Sequence, residues 1–316
     1  MKTVIDISLI IPMYNEEEMI YILFKELNRV LDKIKNYSYE IICVDDGSKD
    51  NTLKILKEMA ESDTRIKILS FSRNFGKVKA MSAGLDFCSG KAAIIIDADL
   101  QDPVDLIIEF IKKWEEGYDN VYGFRSDRKQ DSFFKRWSAV MFYKLCNKMS
   151  DIPIPYNAGD SRLIDRKIIE NVKRINDRKK FMQYIFNWSG FKSIGVGFVR
   201  PARAAGNTKW NYWGLWNLAL EGIVSSTTLP LRIWSYFGAL ISALSLLFGA
   251  YTIIKSFVLQ TNLLLFGGFN LILSLIFLFI GIQFIALGIM GEYMGRILEE
   301  TRDRPKYIIE EKINFD

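Results

Sequence analysis

Acidic residues recur where apolar runs end. Asp45-Asp46-Gly47-Ser48 follows the run at 40–44, and Asp97-Ala98-Asp99-Leu100-Gln101-Asp102-Pro103 follows that at 92–96. Pro12-Met13-Tyr14-Asn15-Glu16-Glu17-Glu18 follows that at 7–11. An Asp-x-Asp pair offers hard oxygen ligands suited to Mg²⁺ or Mn²⁺, and such an ion can bridge an acidic rim to a diphosphate that the rim alone would repel. Each piece also has a plainer reading: 45–48 as a turn leading into a helix cap, and Asp102-Pro103 as the start of the next helix. Their joint placement favours the chemical one. The 316 residues include no histidine, which removes the commonest general base, the Ser/His and Cys/His nucleophile pairs, and His-ligated zinc or iron. The glycine-rich cradles GxGxxG and GxxxxGK[ST] are absent as well. Chemistry here must rest on carboxylates, basic side chains, hydroxyls or a hard cation.

These residues need a scaffold that brings them to one edge. Short β-branched runs at 7–11, 40–44, 66–71, 92–96 and 120–122 alternate with stretches at 16–31, 51–61, 76–88 and 104–115 that carry apolar residues at helical spacing. That alternation predicts βαβ units, a mostly parallel sheet and helices on both faces. Ligands of such sheets bind beyond the carboxyl ends of the strands, where the acidic segments and Gly123-Phe124-Arg125 fall.

The charge balance is +5, from 42 basic and 37 acidic residues, and 49% of the chain is hydrophobic. The apolar residues are unevenly spread: 233–254 and 256–291 contain no charge. Two transmembrane helices, at about 233–254 and 263–290, are expected, with a buried helical hairpin as the alternative. Arg232 precedes the pair and Arg296, Arg302, Arg304 and Lys306 follow it, whereas Lys255 alone lies between. The positive-inside rule then places both termini in the cytoplasm. Trp210, Trp213, Trp216 and Trp234 cluster at the expected boundary, as an aromatic belt would. The basic amphipathic stretch 132–148 reads equally as an interfacial helix or as one packed on the sheet. Cys43, Cys88 and Cys146 form no CxxC pair and read as reduced thiols. The mild basic excess is too weak to argue for nucleic acid. The expected division is a catalytic domain at 1–209, a juxtamembrane segment at 210–232, the two spans within 233–290, and a cytoplasmic tail at 291–316.

In ordered motifs the chain resembles the family 2 glycosyltransferases of the GT-A fold, a Rossmann-like α/β architecture. Within them it is similar to the polyprenyl-phosphate glycosyltransferases, which include dolichol-phosphate mannose synthase and the GtrB-type undecaprenyl-phosphate glucosyltransferases. The carrying segments are IIPMYNEEE (10–18), CVDDGSKDNT (43–52), RNFGKVKAMSAG (73–84), DADLQDP (97–103), GFR (123–125), AGDSRLIDR (158–166) and RAAGNTKW (203–210), with the closing spans and the tail at 291–308.

The resemblance implies transfer of a sugar from a UDP-sugar to undecaprenyl or another polyprenyl phosphate, at the cytoplasmic face of the inner membrane, with Mg²⁺ or Mn²⁺. It places Pro12, Tyr14, Glu16, Val44 and Asp46 on the nucleoside. Asp97, Ala98 and Asp99 fall at the diphosphate, and Asp99 and Gln101, with Asp97, at the metal. Arg125, Arg203 and Lys209 match phosphate-contacting positions and, with Arg162, would meet the acceptor phosphate. Asp160 aligns with the proposed catalytic carboxylate. A lipid monophosphate is already largely ionised near neutrality, so Asp160 is as suited to orienting the acceptor or organising Arg162 as to accepting a proton. Asn207 departs from the family, which often has an acidic residue there. The QxxRW motif of processive synthases is missing, since Gln130 and Arg136-Trp137 are too far apart, so a single transfer with inversion is expected.

Glucose and UDP are the first choices by resemblance; GlcNAc, galactose and a modified arabinose occur among related enzymes. The expected partners are the sugar nucleotide, the lipid phosphate and membrane lipids, with a homo-oligomer, a separate flippase and a downstream glycosyltransferase left open. Rival readings are transfer to a lipid alcohol, which would need a real base, and a catalytically silent membrane scaffold or flippase component.

Overall fold

The computed structural model describes residues 5–126, 158–174, 185–186, 190–199, 240, 268–301 and 305–315. Strand β1 (Ile7–Met13) is buried along its whole length, and β2 (Tyr39–Asp45) nearly so. Such continuous burial belongs to strands covered on both faces. Side chains alternate across the sheet: Ile7, Leu9, Ile11 and Met13 enter one core cluster, while Ile10 enters the other with Ile42, Val44 and Leu69. Helix α1 (Ile20–Leu31) buries Ile20, Leu23, Phe24, Leu27, Val30 and Leu31, the three- and four-residue spacing of one helical face. Helix α2 (Thr52–Ser62), β3 (Ile66–Phe71), α3 (Lys77–Phe87), β4 (Ala92–Ile95), α4 (Leu106–Glu115) and β5 (Asn120–Arg125) complete the expected alternation.

Three further strands change the sheet: β6 (Ala158–Asp165), β7 (Ser193–Phe198) and β8 (Ile309–Ile313). Helix α5 (Arg166–Arg174) follows β6 directly. The order is β7-β5-β6-β4-β1-β2-β3-β8. Pairs β1/β2, β1/β4, β2/β3 and β5/β7 are parallel. Pairs β3/β8, β4/β6 and β5/β6 are antiparallel. The sheet is therefore mixed rather than mostly parallel. Insertion of β6 between β4 and β5 brings its first residues to the edge where β1 to β5 end. Gly123, Phe124 and Arg125, expected beyond the fifth strand, lie within it.

The opposite edge is fastened by a buried carboxylate. Glu40 Oε1 accepts hydrogen bonds from Ser8 Oγ at 2.5 Å, Ser89 N at 2.7 Å and Ser89 Oγ at 2.8 Å, and Lys67 Nζ lies 2.8 Å from Oε2. Burial raises the Glu40 pKa, but these donors outweigh it and hold the group below its ordinary value. The network joins β1, β2 and β3 to the turn before β4.

The chain divides into two compact units, Met1–Gly222 with Arg304–Asp316, and Ile223–Asp303. The expected tail at 291–316 contains two elements. Its first part continues helix α6 (Gly268–Thr301), and its last part pairs with β3 as the edge strand β8. Tyr307 stacks on Phe71, ring centroids 5.1 Å apart, and donates its hydroxyl to Asp86 at 2.8 Å. This explains why a charged segment, IEEKI, forms a strand: an edge needs one partner and tolerates charge on its outer face. Counting only described residues, no helix is long and apolar enough to cross a membrane. The first expected span, apart from Leu240, and the segments 132–148 and 210–232 lie outside the described residues. Cys43 and Cys88 are buried free thiols.

Candidate active site

The acidic rim forms where the strands end. Asp97, two residues beyond β4, and Asp160, near the start of β6, come from neighbouring antiparallel strands and meet on one cation. Lys77 Nζ lies 2.7 Å from Asp97 Oδ1, 2.9 Å from Asp97 Oδ2 and 2.7 Å from Asp160 Oδ2. Burial lowers the lysine's pKa, but the two carboxylates outweigh it and hold the ammonium above its ordinary value. Burial pushes Asp97 up to about 6; Lys77 opposes the shift, and Asp160 and Asp102 add to it.

The loops after β1 and β2 are joined by side chains. Ser48 Oγ accepts from Asn15 N at 2.9 Å, Thr52 Oγ1 from Glu16 N at 2.9 Å, and Asn15 Oδ1 from Lys49 N at 2.8 Å. Asn15 has φ 52°, a left-handed conformation that asparagine tolerates. Asp45 accepts from Ser48 N at 3.1 Å and Ser70 Oγ at 3.0 Å. Asp46 Oδ1 accepts from Phe75 N at 2.6 Å and Oδ2 from Gly76 N at 2.9 Å, which fixes the loop between β3 and α3. Burial raises the Asp46 pKa while these amides oppose it. Between them, Gly47 has φ 65°, and a Cβ there would lie 2.4 Å from the backbone carbon of Arg73. The approach of these loops requires glycine.

The loop after β4 turns at Leu100, φ 53°. Asp99 Oδ1 accepts from Gln101 N at 3.2 Å. Asp102, which could have capped the next helix, instead accepts the Ser161 hydroxyl at 2.5 Å and ties this loop to β6.

Several expected site residues converge, and some do not. Asp97, Asp99, Gln101 and Asp160 share the region where β4 ends and β6 begins; Tyr14, Glu16 and Asp46 share the joined loops after β1 and β2. Pro12 is buried within β1 opposite Val44, and Ala98 is also buried. Val44, expected at the nucleoside, has its side chain fully buried in the core with Ile10, Ile42 and Leu69. Arg162, expected at the acceptor phosphate, lies inside the fold. It is 1% exposed; Nη2 donates to the Gly159 carbonyl at 2.8 Å and Nε to that of Asp160 at 3.3 Å, and the guanidinium covers the Phe186 ring. Burial lowers its pKa to about 10, with Asp160 and Tyr122 opposing the shift. It therefore supports the backbone that carries Asp160. Arg125 ends β5, half-buried. Arg203 and Lys209 lie outside the described residues.

Lys77 is the functional candidate that sequence reasoning left without a role. A usable signal was present: it is the first residue of α3, where the positive end of the helix dipole disfavours a cation. A lysine there needs anions nearby, and two are supplied from other strands.

The model of the family described as "Glycosyl transferase family 2" matches residues 8–173. The chain belongs to glycosyl transferase family 2. The matched region of this glycosyltransferase runs from β1 to α5 and contains Lys77, Asp97 and Asp160. Similarity to curated relatives extends further. An uncharacterized glycosyltransferase of Synechocystis, sll0501, is 48% identical over 305 residues, 96% of this chain and 95% of its own. The prophage bactoprenol glucosyl transferase homolog of Escherichia coli K12 is 47% identical over 303 residues, 96% of this chain and 98% of its own. The bactoprenol glucosyl transferase of Shigella phage SfX is 46% identical over 306 residues, 97% of this chain and 99% of its own.

Proposed function

We propose that this glycosyltransferase moves glucose from UDP-glucose to a polyprenyl phosphate, one sugar per turnover, with inversion at the anomeric carbon. The observation that carries this reading is the convergence of Asp97 and Asp160 at the carboxyl rim of a family 2 fold whose bactoprenol-specific relatives match almost the whole chain.

Tyr14, Glu16 and the loop fixed by Asp46 form the nucleoside end of the crevice, and Asp97 and Asp99 the diphosphate end. A phosphate oxygen of the acceptor attacks the anomeric carbon, the bond from that carbon to the UDP oxygen breaks, and UDP leaves. The acceptor is already ionised, so Asp160 orients it, held by Lys77 through its carboxylate and by Arg162 through its backbone. Asp99 and Gln101, with Asp97, would hold Mg²⁺ or Mn²⁺; the donors are all hard oxygens, which suits either ion. Among the described residues no group of three His, Cys, Asp or Glu side chains is arranged to hold a metal. The ion supplies positive charge for the leaving diphosphate.

The membrane reading rests on sequence and connectivity. Residues 233–254 and 256–291 carry no charge. Because β8 returns to the sheet that begins with β1, the intervening segment starts and ends on one side of any bilayer it enters. That connectivity supports an even number of crossings, and the flanking basic residues support cytoplasmic termini. A separate flippase would then carry the lipid-linked sugar across.

Membranes containing the protein, supplied with polyprenyl phosphate, Mg²⁺ or Mn²⁺ and a panel of radiolabelled UDP-sugars, test the reading. Label should enter the lipid extract from UDP-glucose and be lost in EDTA. Absence of lipid-linked product from every sugar, or undiminished product in EDTA, contradicts it.

A further inference from the structure

Lys77 lies between Asp97, one of the expected metal ligands, and Asp160. Its ammonium contacts both oxygens of Asp97, at 2.7 and 2.9 Å, and Asp160 Oδ2 at 2.7 Å. A metal ion that used Asp97 would have to displace it. The contact is not locked in the core: 42% of the lysine side chain is exposed, against 21% for Asp97 and 35% for Asp160. The lysine also sits directly after Gly76, whose amide is held by Asp46 in the nucleoside loop. Rearrangement of that loop therefore reaches the ammonium through a single peptide unit.

We infer that Lys77 is a built-in counter-ion that closes the metal position of the empty enzyme, so that a divalent ion binds tightly only together with the nucleotide diphosphate. Without Lys77, Asp97 would lose the ammonium that contacts both its oxygens while keeping the negative charge of Asp160 nearby, and would attract a divalent ion more strongly. With Lys77 in place, the ion must either displace an ammonium from two carboxylates or bring further ligands. The β-phosphate oxygens are such ligands, and they also give the displaced ammonium a new anion. Lys77 thus positions Asp97 and Asp160 between turnovers and sets the order of binding. This inference rests on the metal reading proposed above.

The test is Mn²⁺ titration of the full-length detergent-purified protein, with free Mn²⁺ followed by electron paramagnetic resonance, in the absence and presence of UDP. Wild type should bind Mn²⁺ weakly alone and much more tightly with UDP. Lys77→Gln should bind Mn²⁺ without UDP about tenfold or more tighter than wild type, as removal of a unit charge within a few ångströms requires, and UDP should add less. Lys77→Arg, which keeps the charge, should behave as wild type, and circular dichroism should show both variants folded. If Lys77→Gln binds Mn²⁺ no tighter than wild type without UDP, while UDP still promotes binding to both, the counter-ion role is overturned and the metal reading stands. If no form binds Mn²⁺ even with UDP, the metal reading falls and this inference with it.

Discussion

Gly47→Ala separates backbone strain from loop displacement. Gly47 has φ 65°, and its added Cβ would lie 2.4 Å from Arg73 C, 2.7 Å from Arg73 Cα and 2.8 Å from Asn74 N. Ordinary van der Waals contact begins at 3.4 Å, so the neighbouring backbone must retreat by the difference, 3.4 − 2.4 = 1.0 Å. The left-handed conformation costs about 1–2 kcal/mol for a residue with a Cβ, and forced overpacking about 1–3 kcal/mol more. The expected loss of stability is about 2–5 kcal/mol. Retreat of 73–74 also draws the Phe75 and Gly76 amides from Asp46, which they now reach at 2.6 and 2.9 Å. Loss of about one charge-assisted hydrogen bond weakens UDP binding roughly tenfold. Gly117→Ala is the control: φ is 91°, but nothing lies within 4 Å of its Cβ. It should cost only the strain, about 1–2 kcal/mol, and leave UDP affinity unchanged. Chemical denaturation and calorimetric UDP titration of the full-length protein in detergent supply both numbers. Equal stability losses in the two variants, with wild-type UDP affinity in Gly47→Ala, would refute the claim that this contact shapes the nucleoside loop.

Two other substitutions probe opposite edges of the sheet. Asp160→Asn should lower turnover on the order of a hundredfold, through a misplaced acceptor, with UDP affinity within twofold of wild type; near-normal turnover removes Asp160 from the reaction. Glu40→Gln, which takes the charge from the network of Ser8, Ser89 and Lys67, should cost about 2–3 kcal/mol at pH 7. The folded pKa of Glu40 is depressed, so its contribution is present above the ordinary value of 4.5 and is lost as pH falls through the lower folded value. The stability gap between wild type and Glu40→Gln, read from denaturation midpoints, should therefore narrow in acid; a gap that widens below pH 4.5 contradicts the assignment.

The first five strands and four helices were legible because their signals are local. Apolar runs that are buried on both faces mark β1 and β2, and α1 places its buried residues at helical spacing. Their boundaries shifted by a few residues: α1 begins at Ile20 rather than residue 16, because the intervening residues form the turn joined to Ser48 and Thr52. The later strands were hidden because their partners are distant. AGDSRLID has polar residues at Asp160, Ser161, Arg162 and Asp165, and becomes a central strand through pairing with β4 and β5 and burial of Leu163 and Ile164 on its two faces. IEEKI becomes a strand through pairing with β3, far away in sequence. At the site, the identity and placement of the acidic residues could be read, since strand ends in such folds share a rim. The contacts could not. Asp46 is committed to the loop before α3, Arg162 to backbone carbonyls, and Lys77 to two carboxylates brought together by the inserted strand.

The proposed reaction is a single glucose transfer to a phosphate on a lipid. Purified full-length protein, UDP-glucose and undecaprenyl phosphate, with Mn²⁺ and product analysis by mass spectrometry, test it most directly. The expected products are equal amounts of UDP and a lipid bearing one hexose on its phosphate, both lost in Asp97→Asn. Release of UDP with free glucose and no glycosylated lipid, or a product with several hexoses, would contradict it.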